Sequence, residues 1–308
     1  MFIGIDIGTS EVKVLLLAPD HRVLGSAGTA LTVQRPHPGH SEQNPQDWWT
    51  ATLSALAQLR VAHPTEFAAV QAIGLSGQMH GAVLLDAQDR ILRPAILWND
   101  TRCATECTEM MAELPSLPDL GGSLAMPGFT APKLRWVAQH EPEIFKQVAK
   151  VLLPKDYVRL MLTGEYVSDM SDASGTLWLD VQKRAWSDEL LALTGLTQAH
   201  MPRLVEGSAP GGALKADVAQ ALGLNAGIVV AGGAGDNASS AVGMGAVQAG
   251  QGFLSLGTSG VLFVVTPSYQ PNAASATHAF CHAVPGQWHQ MSVMLSAASS
   301  LQLSLIHI

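Results

Sequence analysis

A strand that empties into a turn of glycine and small hydroxyl residues occurs near both ends of this chain. The first copy is Phe2-Ile3-Gly4-Ile5-Asp6 followed by Gly8-Thr9-Ser10; the second is Gly252-Phe253-Leu254-Ser255-Leu256 followed by Gly257-Thr258-Ser259-Gly260. Glycine lets the backbone approach an anion, successive amides form a positive concavity, and the hydroxyls add donors. One copy alone is also ordinary hairpin chemistry. Two copies far apart point to a duplicated fold that clamps the phosphates of a nucleotide.

Neither copy ends in the Gly-Lys-Thr of a Walker loop. The first runs into Val12-Lys13-Val14-Leu15-Leu16-Leu17, a second strand rather than a helix. This strand, turn, strand order resembles the phosphate hairpin of actin-like ATPases and sugar kinases. It puts Asp6 at a strand end, close enough to hold a metal that the nucleotide brings.

At 308 residues the chain suits two domains of ordinary size, and its 47% hydrophobic content marks it as globular. Only 14% of residues are charged and the net charge is −8, so no basic surface is available to hold nucleic acid. No apolar run approaches the roughly 20 residues of a membrane helix, and a cytoplasmic location is expected. Cys103, Cys107 and Cys281 are an odd number and suit a reducing compartment. They are expected to be structural.

Residues 2–31 alternate as a strand meander, and 34–45 is a proline-containing polar loop. Helical spacing runs from Asp47 to Ala62, and strand character returns from Ala68 to Leu75. Alternating strands and helices predict an α/β fold. The composition shifts again at 222–227, before the buried-strand run Ile228-Val229-Val230-Ala231, and the domain boundary is expected there. That strand ends in Gly232-Gly233-Ala234-Gly235-Asp236-Asn237, an Asp and an Asn at the strand edge where α/β folds hold ligands. In isolation Gly-Asp-Asn is also a turn signal.

These phrases together resemble the FGGY carbohydrate kinases over nearly the whole chain. Ile5-Asp6-Ile7-Gly8-Thr9-Ser10 is similar to the first phosphate motif, and Gly128-Phe129-Thr130-Ala131-Pro132-Lys133-Leu134-Arg135-Trp136 to the first FGGY signature. Gly235-Asp236-Asn237-Ala238 resembles the catalytic-base motif, and Leu254 to Gly260 the second phosphate motif. Ser76-Gly77-Gln78-Met79-His80-Gly81 and Arg93-Pro94-Ala95-Ile96-Leu97-Trp98-Asn99-Asp100 look like the bacterial branch that phosphorylates D-xylulose. Glycerol kinases would show an Arg-Glu pair where this chain has Met79-His80.

The resemblance implies duplicated actin-like (ribonuclease H-like) α/β domains: residues 1–225 as the sugar-binding domain, and 226–308 as the start of a nucleotide-binding domain. It implies ATP and Mg²⁺, with D-xylulose becoming D-xylulose 5-phosphate. Asp236 would be the general base, and Asp6 would orient the metal through water. Met79, His80, Trp98 and Asn237 would contact the ketose, although His80 alone would also suit a core or loop histidine. Gly8, Thr9, Ser10, Gly257, Thr258 and Ser259 would hold the phosphates. Lys13 would reach a phosphate or stay at the surface, and Glu11 would point outward because a carboxylate facing phosphates is repelled. A homodimer is among the assemblies found in the family.

The family's second FGGY signature and glycine-rich adenine site are missing from these residues, so a C-terminally truncated fragment is expected, with an uncovered hydrophobic sheet and weak ATP binding. The last residues, Leu303 to Ile308, match the translation of a sequencing adaptor and are expected to be foreign. Two other functions fit less of the sequence. One is a kinase for another sugar or polyol, ribulokinase-like or glycerol kinase-like. The other is a non-catalytic actin-fold sugar-binding module, which would need no base at Asp236.

Overall fold

The computed structural model describes residues 1–257, 259–298, 300 and 303–304. Its first sheet follows from the alternation of apolar side chains. Ile3, Ile5 and Ile7 on Phe2–Ile7, and Val12, Val14 and Leu16 on Glu11–Leu17, are buried on one face. Gly4, Asp6, Lys13 and Leu15 face the other side and line an open cleft of about 740 Å³. With Val23–Ala30 these strands form the expected antiparallel meander.

Phe2–Ile7 also pairs in parallel with Ala72–Gly77, placing Asp6 opposite Ser76 and Ile7 opposite Gly77. A parallel ladder needs a crossover, and the helix Pro45–Ala62 lies in it. Asn44 caps the Gln46 amide, Pro45 occupies a position that needs no amide partner, and Asp47 sits in the first turn. Trp48, Thr52, Ala55, Leu56 and Leu59 recur at helical spacing and are buried. Trp48, Ala55, Leu56 and Leu59 share one core with the sheet and with the helices Pro154–Thr163 and Ala216–Leu222. Full burial of one Ile or Leu is worth about 1.5–3 kcal/mol, so this core is the main support of the layer.

Among the described residues the sheet has seven strands. Six run in the order Pro210–Ala213, Val229–Ala231, Ala72–Gly77, Phe2–Ile7, Glu11–Leu17, Val23–Ala30, and Ala234–Gly235 also joins Ala72–Gly77. The boundary expected between 225 and 226 therefore cuts through a sheet. Val229 pairs with Ala72, and Ala234 with Ser76, so the run after 227 returns to the middle of the first sheet. The composition shift marks a helix end instead, where Gly223 takes a left-handed φ of 72°.

After the helix Asp236–Gly243 comes an antiparallel sheet, ordered Gly252–Leu256, Gly260–Thr266, Trp288–Met294, His278–Cys281. The second copy of the opening phrase is thus also a hairpin, with Leu254 opposite Leu262 and Leu256 opposite Gly260. Thr258, expected in its turn, lies outside the described residues, as do 305–308 of the segment expected to be foreign. One face of this sheet sends Phe263, Val265, Phe280 and Met291 into a second core with Phe129, Leu134 and Trp178. On the other face Leu254, Leu256, Leu262 and Met294 are all more than half exposed, which is the uncovered sheet expected above. No helix among the described residues is long and apolar enough to cross a membrane.

An apolar sheet face open to water favours association. Replacing Leu254 and Leu262 by Thr in the 308-residue chain should lower its aggregation, read by light scattering at fixed concentration. Unchanged scattering would mean that this face does not drive association.

Candidate active site

Parallel ladders bring three strand ends level. Asp6 stands opposite Ser76, and Ser76 opposite Ala234, at the carboxyl edge of the sheet. Asp236 follows in the first turn of the helix Asp236–Gly243. Two close approaches permit this layout. Gly233 has a φ of 72°, and a Cβ there would lie 2.2 Å from the Leu75 carbonyl oxygen; a Cβ on Gly235 would meet Met79 Sδ at 2.8 Å. Side chains at these positions would push the Asp236 segment off the sheet.

Asp236 is half-buried, and its Oδ1 accepts from the Asn237 backbone N–H at 2.7 Å and from Nδ2 at 3.0 Å. Burial pushes its carboxyl up to about 6 against those two bonds, and the Asp6 charge adds to the rise. Ala234 and Ser239, on either side of Asp236 in sequence, line the cleft with Asp6 and Lys13. The surrounding protein also raises Asp6, opposed by a hydrogen bond from Ser76 and by the Lys13 charge. Lys13 is paired with Glu11 at 3.0 Å, and that bond raises its pKa. Glu11 alternates with the buried Val12 and so starts from the same face of its strand as Lys13, whose charge it meets, but it is not among the residues that line the cleft.

The first turn is closed by Gly8 N–H donating to Glu11 O at 3.0 Å. Thr9 donates its hydroxyl to Gln78 Oε1 and accepts from Trp98 Nε1, both at 3.0 Å. Gln43 Nε2 donates to Thr9 O at 2.8 Å, and Trp48 Nε1 in turn donates to Gln43 Oε1 at 3.0 Å. The Thr9 side chain is therefore engaged, whereas the Thr9 and Ser10 amides have no hydrogen-bond partner among the described residues. Those amides are the turn's free donors for an anion. Trp98, expected beside the sugar, directs its indole N–H at the turn and braces it.

Met79 is buried between Gly235 and Gly175. His80 has a φ of 70°, in the left-handed region that non-glycine residues seldom adopt. Its carbonyl accepts from Lys133 Nζ at 2.8 Å and from the Thr130 hydroxyl at 3.2 Å, while Lys133 also donates to Gly128 O at 2.7 Å. Nδ1 lies 2.7 Å from the Gly175 carbonyl oxygen, so Nδ1 carries the proton. Nε2 is left as an acceptor. Burial, with the Lys133 charge adding, lowers His80 to about 3, and burial brings Lys133 down to about 7. The imidazole is neutral at any working pH.

Gly257 and Ser259 are not joined to this group. Gly257 N–H donates to Ser259 O at 2.9 Å, and Gly257 O accepts from Ala298 N–H at 3.0 Å; among the described residues neither has a hydrogen bond to the first turn. Sequence reasoning gave no role to Ser76, Gln43, Gln78 or Lys133. The phrases quoted above contained Ser76, Gln78 and Lys133, but a pairing partner distant in sequence leaves no local pattern.

The arrangement suits abstraction of a hydroxyl proton by Asp236, with free amide donors for an anion in the Gly8-Thr9-Ser10 turn. Asp6 and Asp236 also offer hard oxygen donors of the kind Mg²⁺ takes alongside phosphates and water. Because the folded pKa of Asp236 exceeds the roughly 3.9 of an unfolded aspartate, its ionisation opposes folding as pH rises from about 4 through about 6. Asp236→Asn should therefore stabilise the protein by about 1–3 kcal/mol at pH 8 and by little at pH 4. Calorimetric melting at both pH values checks this, and equal shifts at the two would contradict it.

Comparison with known proteins shows the family. A model of the FGGY family of carbohydrate kinases, N-terminal domain, matches residues 1–243. The chain is 58% identical over 301 residues to a xylulose kinase of Escherichia coli (strain K12), covering 98% of this chain and 62% of that protein. It is 55% identical to a xylulose kinase of Klebsiella pneumoniae, with the same coverage. A crystal structure of a xyloylose kinase from Brucella ovis superposes with a TM-score of 0.96 at 58% identity, covering 98% of this chain and 62% of that one. The chain spans about 62% of the length of these relatives. Its mixed α/β architecture is the actin-like one of these kinases, and the chain belongs to the FGGY family of carbohydrate kinases.

Proposed function

We propose that the protein containing this chain is a cytoplasmic ATP-dependent kinase that converts D-xylulose to D-xylulose 5-phosphate, with Asp236 as its general base. The observation that carries the reading is the placement of Asp236. A half-buried carboxyl raised to about 6 follows directly on Gly235, which packs against Met79, at the carboxyl edge of three parallel strands. The choice of sugar is supported by 58% identity to a relative named xylulose kinase.

Phosphoryl transfer requires an aligned nucleophile, an acceptor for its proton and donors where charge gathers on the phosphoryl group. In this reading the terminal hydroxyl of the ketose passes its proton to Asp236 as it attacks the γ-phosphate. Asn237 keeps the carboxylate oriented through two bonds to Oδ1. Neutral His80 accepts a sugar hydroxyl at Nε2, and Met79 packs beneath the base. The Thr9 and Ser10 amides bind phosphate oxygens, and Gly257, Thr258 and Ser259 do so from the second turn once the cleft closes. Mg²⁺ would screen the phosphate charge, with Asp6 the residue that would hold it through water.

ADP release by the full-length protein should depend on D-xylulose and be weaker with D-ribulose, L-ribulose and glycerol. A preference for another polyol would move the assignment within the family, and sugar binding without ADP release would favour a non-catalytic module. Positioned proton transfer contributes about 10²- to 10⁴-fold, so Asp236→Ala should lose at least about a hundredfold in kcat while remaining folded. The wild-type kcat should fall as pH drops through about 6, because only the ionised carboxylate accepts a proton. His80 is neutral across that range and adds no second limb. A flat profile between pH 5 and 7 would remove Asp236 from the role.

A further inference from the structure

Behind the segment that delivers Asp236 lies a group of charges with no access to water. Lys155, Asp156 and Arg159 on Pro154–Thr163 meet Asp169 and Asp172 at the start of the short helix Met170–Ser174, and all five side chains are fully buried. Lys155 Nζ lies 2.6, 2.8 and 3.0 Å from the carboxylates of Asp156, Asp169 and Asp172. Burial works against the ammonium charge, but the three carboxylates outweigh it and raise its pKa; burial raises Asp172 well above the usual carboxylate range. Such a group is a poor source of stability, because well-packed apolar side chains of similar volume often do as well or better. What the charges hold in place is the better account of them.

They hold the segment 231–235 at both ends. Arg159 forks onto the carbonyls of Ala231 and Gly232. The Ser171 hydroxyl donates to Asp169 Oδ2 at 2.5 Å and accepts from Gly235 N–H at 3.2 Å. Gly235 immediately precedes Asp236 and stands at the N-cap of its helix. The Lys155 stem packs against Gly77, the residue paired with Gly235 on the neighbouring strand. Three of the five residues in 231–235 are glycine, so the segment has little stiffness of its own. Among the described residues Asp236 has no hydrogen bond to the charged group, and any influence on it passes through the backbone.

We propose that Ser171 and Arg159 are positioning residues for the base: through them the buried charges set where Asp236 stands relative to the substrate hydroxyl. This rests on the reading of Asp236 as general base. Misplacement by about 1 Å, far from the chemistry, can cost about a hundredfold in rate.

The test uses the full-length enzyme, with kcat and KM measured per folded molecule well below each variant's melting temperature. Ser171→Ala leaves all five charged residues intact and removes the bridge to Gly235. It should lower kcat by about 10- to 100-fold, with KM for D-xylulose and ATP within about twofold of wild type. Arg159→Lys keeps the charge but cannot span two carbonyls. It should show the same split and serves as the reading if Ser171→Ala does not fold. Unchanged kcat per folded molecule, or a loss confined to KM, would overturn the proposal. Asp236→Asn in the same series separates the two ideas. If that variant retains wild-type turnover, the base assignment itself fails; if it is inactive while Ser171→Ala and Arg159→Lys turn over normally, only the positioning proposal fails.

Discussion

Parallel hydrogen-bond ladders keep the ends of Phe2–Ile7, Ala72–Gly77 and Ala234–Gly235 level, and the site depends on that register. Strand side chains alternate between faces, so a slip of one residue would send Asp6 into the helix-packed core and Ile5 or Ile7 into the cleft. The buried Ile3, Ile5, Ile7, Ile73 and Leu75 make such a slip expensive. Core packing and placement of the carboxylate are thus one constraint seen from two faces of the same strand.

The two faces answer to different energetics. The helix side of the sheet is apolar and closely packed, and it carries the stability of the layer. The cleft side keeps carboxylates whose charged forms are disfavoured: both Asp6 and Asp236 are raised above the usual range. His80 adds a backbone conformation that costs of order 1–3 kcal/mol and persists only where its surroundings over-determine it. Here Lys133, Thr130 and Gly175 do so, gripping the residue from its carbonyl and its ring. Functional geometry is maintained at the expense of local stability and is supported by the neighbouring core.

Polar side chains at this edge are arranged in relays. Trp48 orients Gln43, Gln43 bonds the Thr9 carbonyl, and Gln78 and Trp98 share the Thr9 hydroxyl. The turn is thereby stiffened by groups that never face the cleft, leaving its amides free. An anion site built this way needs little rearrangement when a ligand arrives.

Local chemistry was legible in the sequence. The Gly8-Thr9-Ser10 hairpin, the helix beginning near Asp47 and the strand leading to Asp236 all follow from periodicity and turn residues, whose physics acts over a few neighbours. The family likeness rests on the same short phrases. Other features depend on partners distant in the chain. Nothing around residue 225 shows that Val229–Ala231 returns to pair with Ala72, and so the boundary was misplaced. Nor does the sequence show that Trp98 reaches Thr9, that Lys133 caps the His80 carbonyl, or that Glu11 pairs with Lys13. The chain alone determined which residues could carry the chemistry, because backbone propensity and side-chain type are local properties. Only the tertiary structure decided which of them meet, because hydrogen bonds and buried charges are satisfied by whatever the fold brings within about 3 Å.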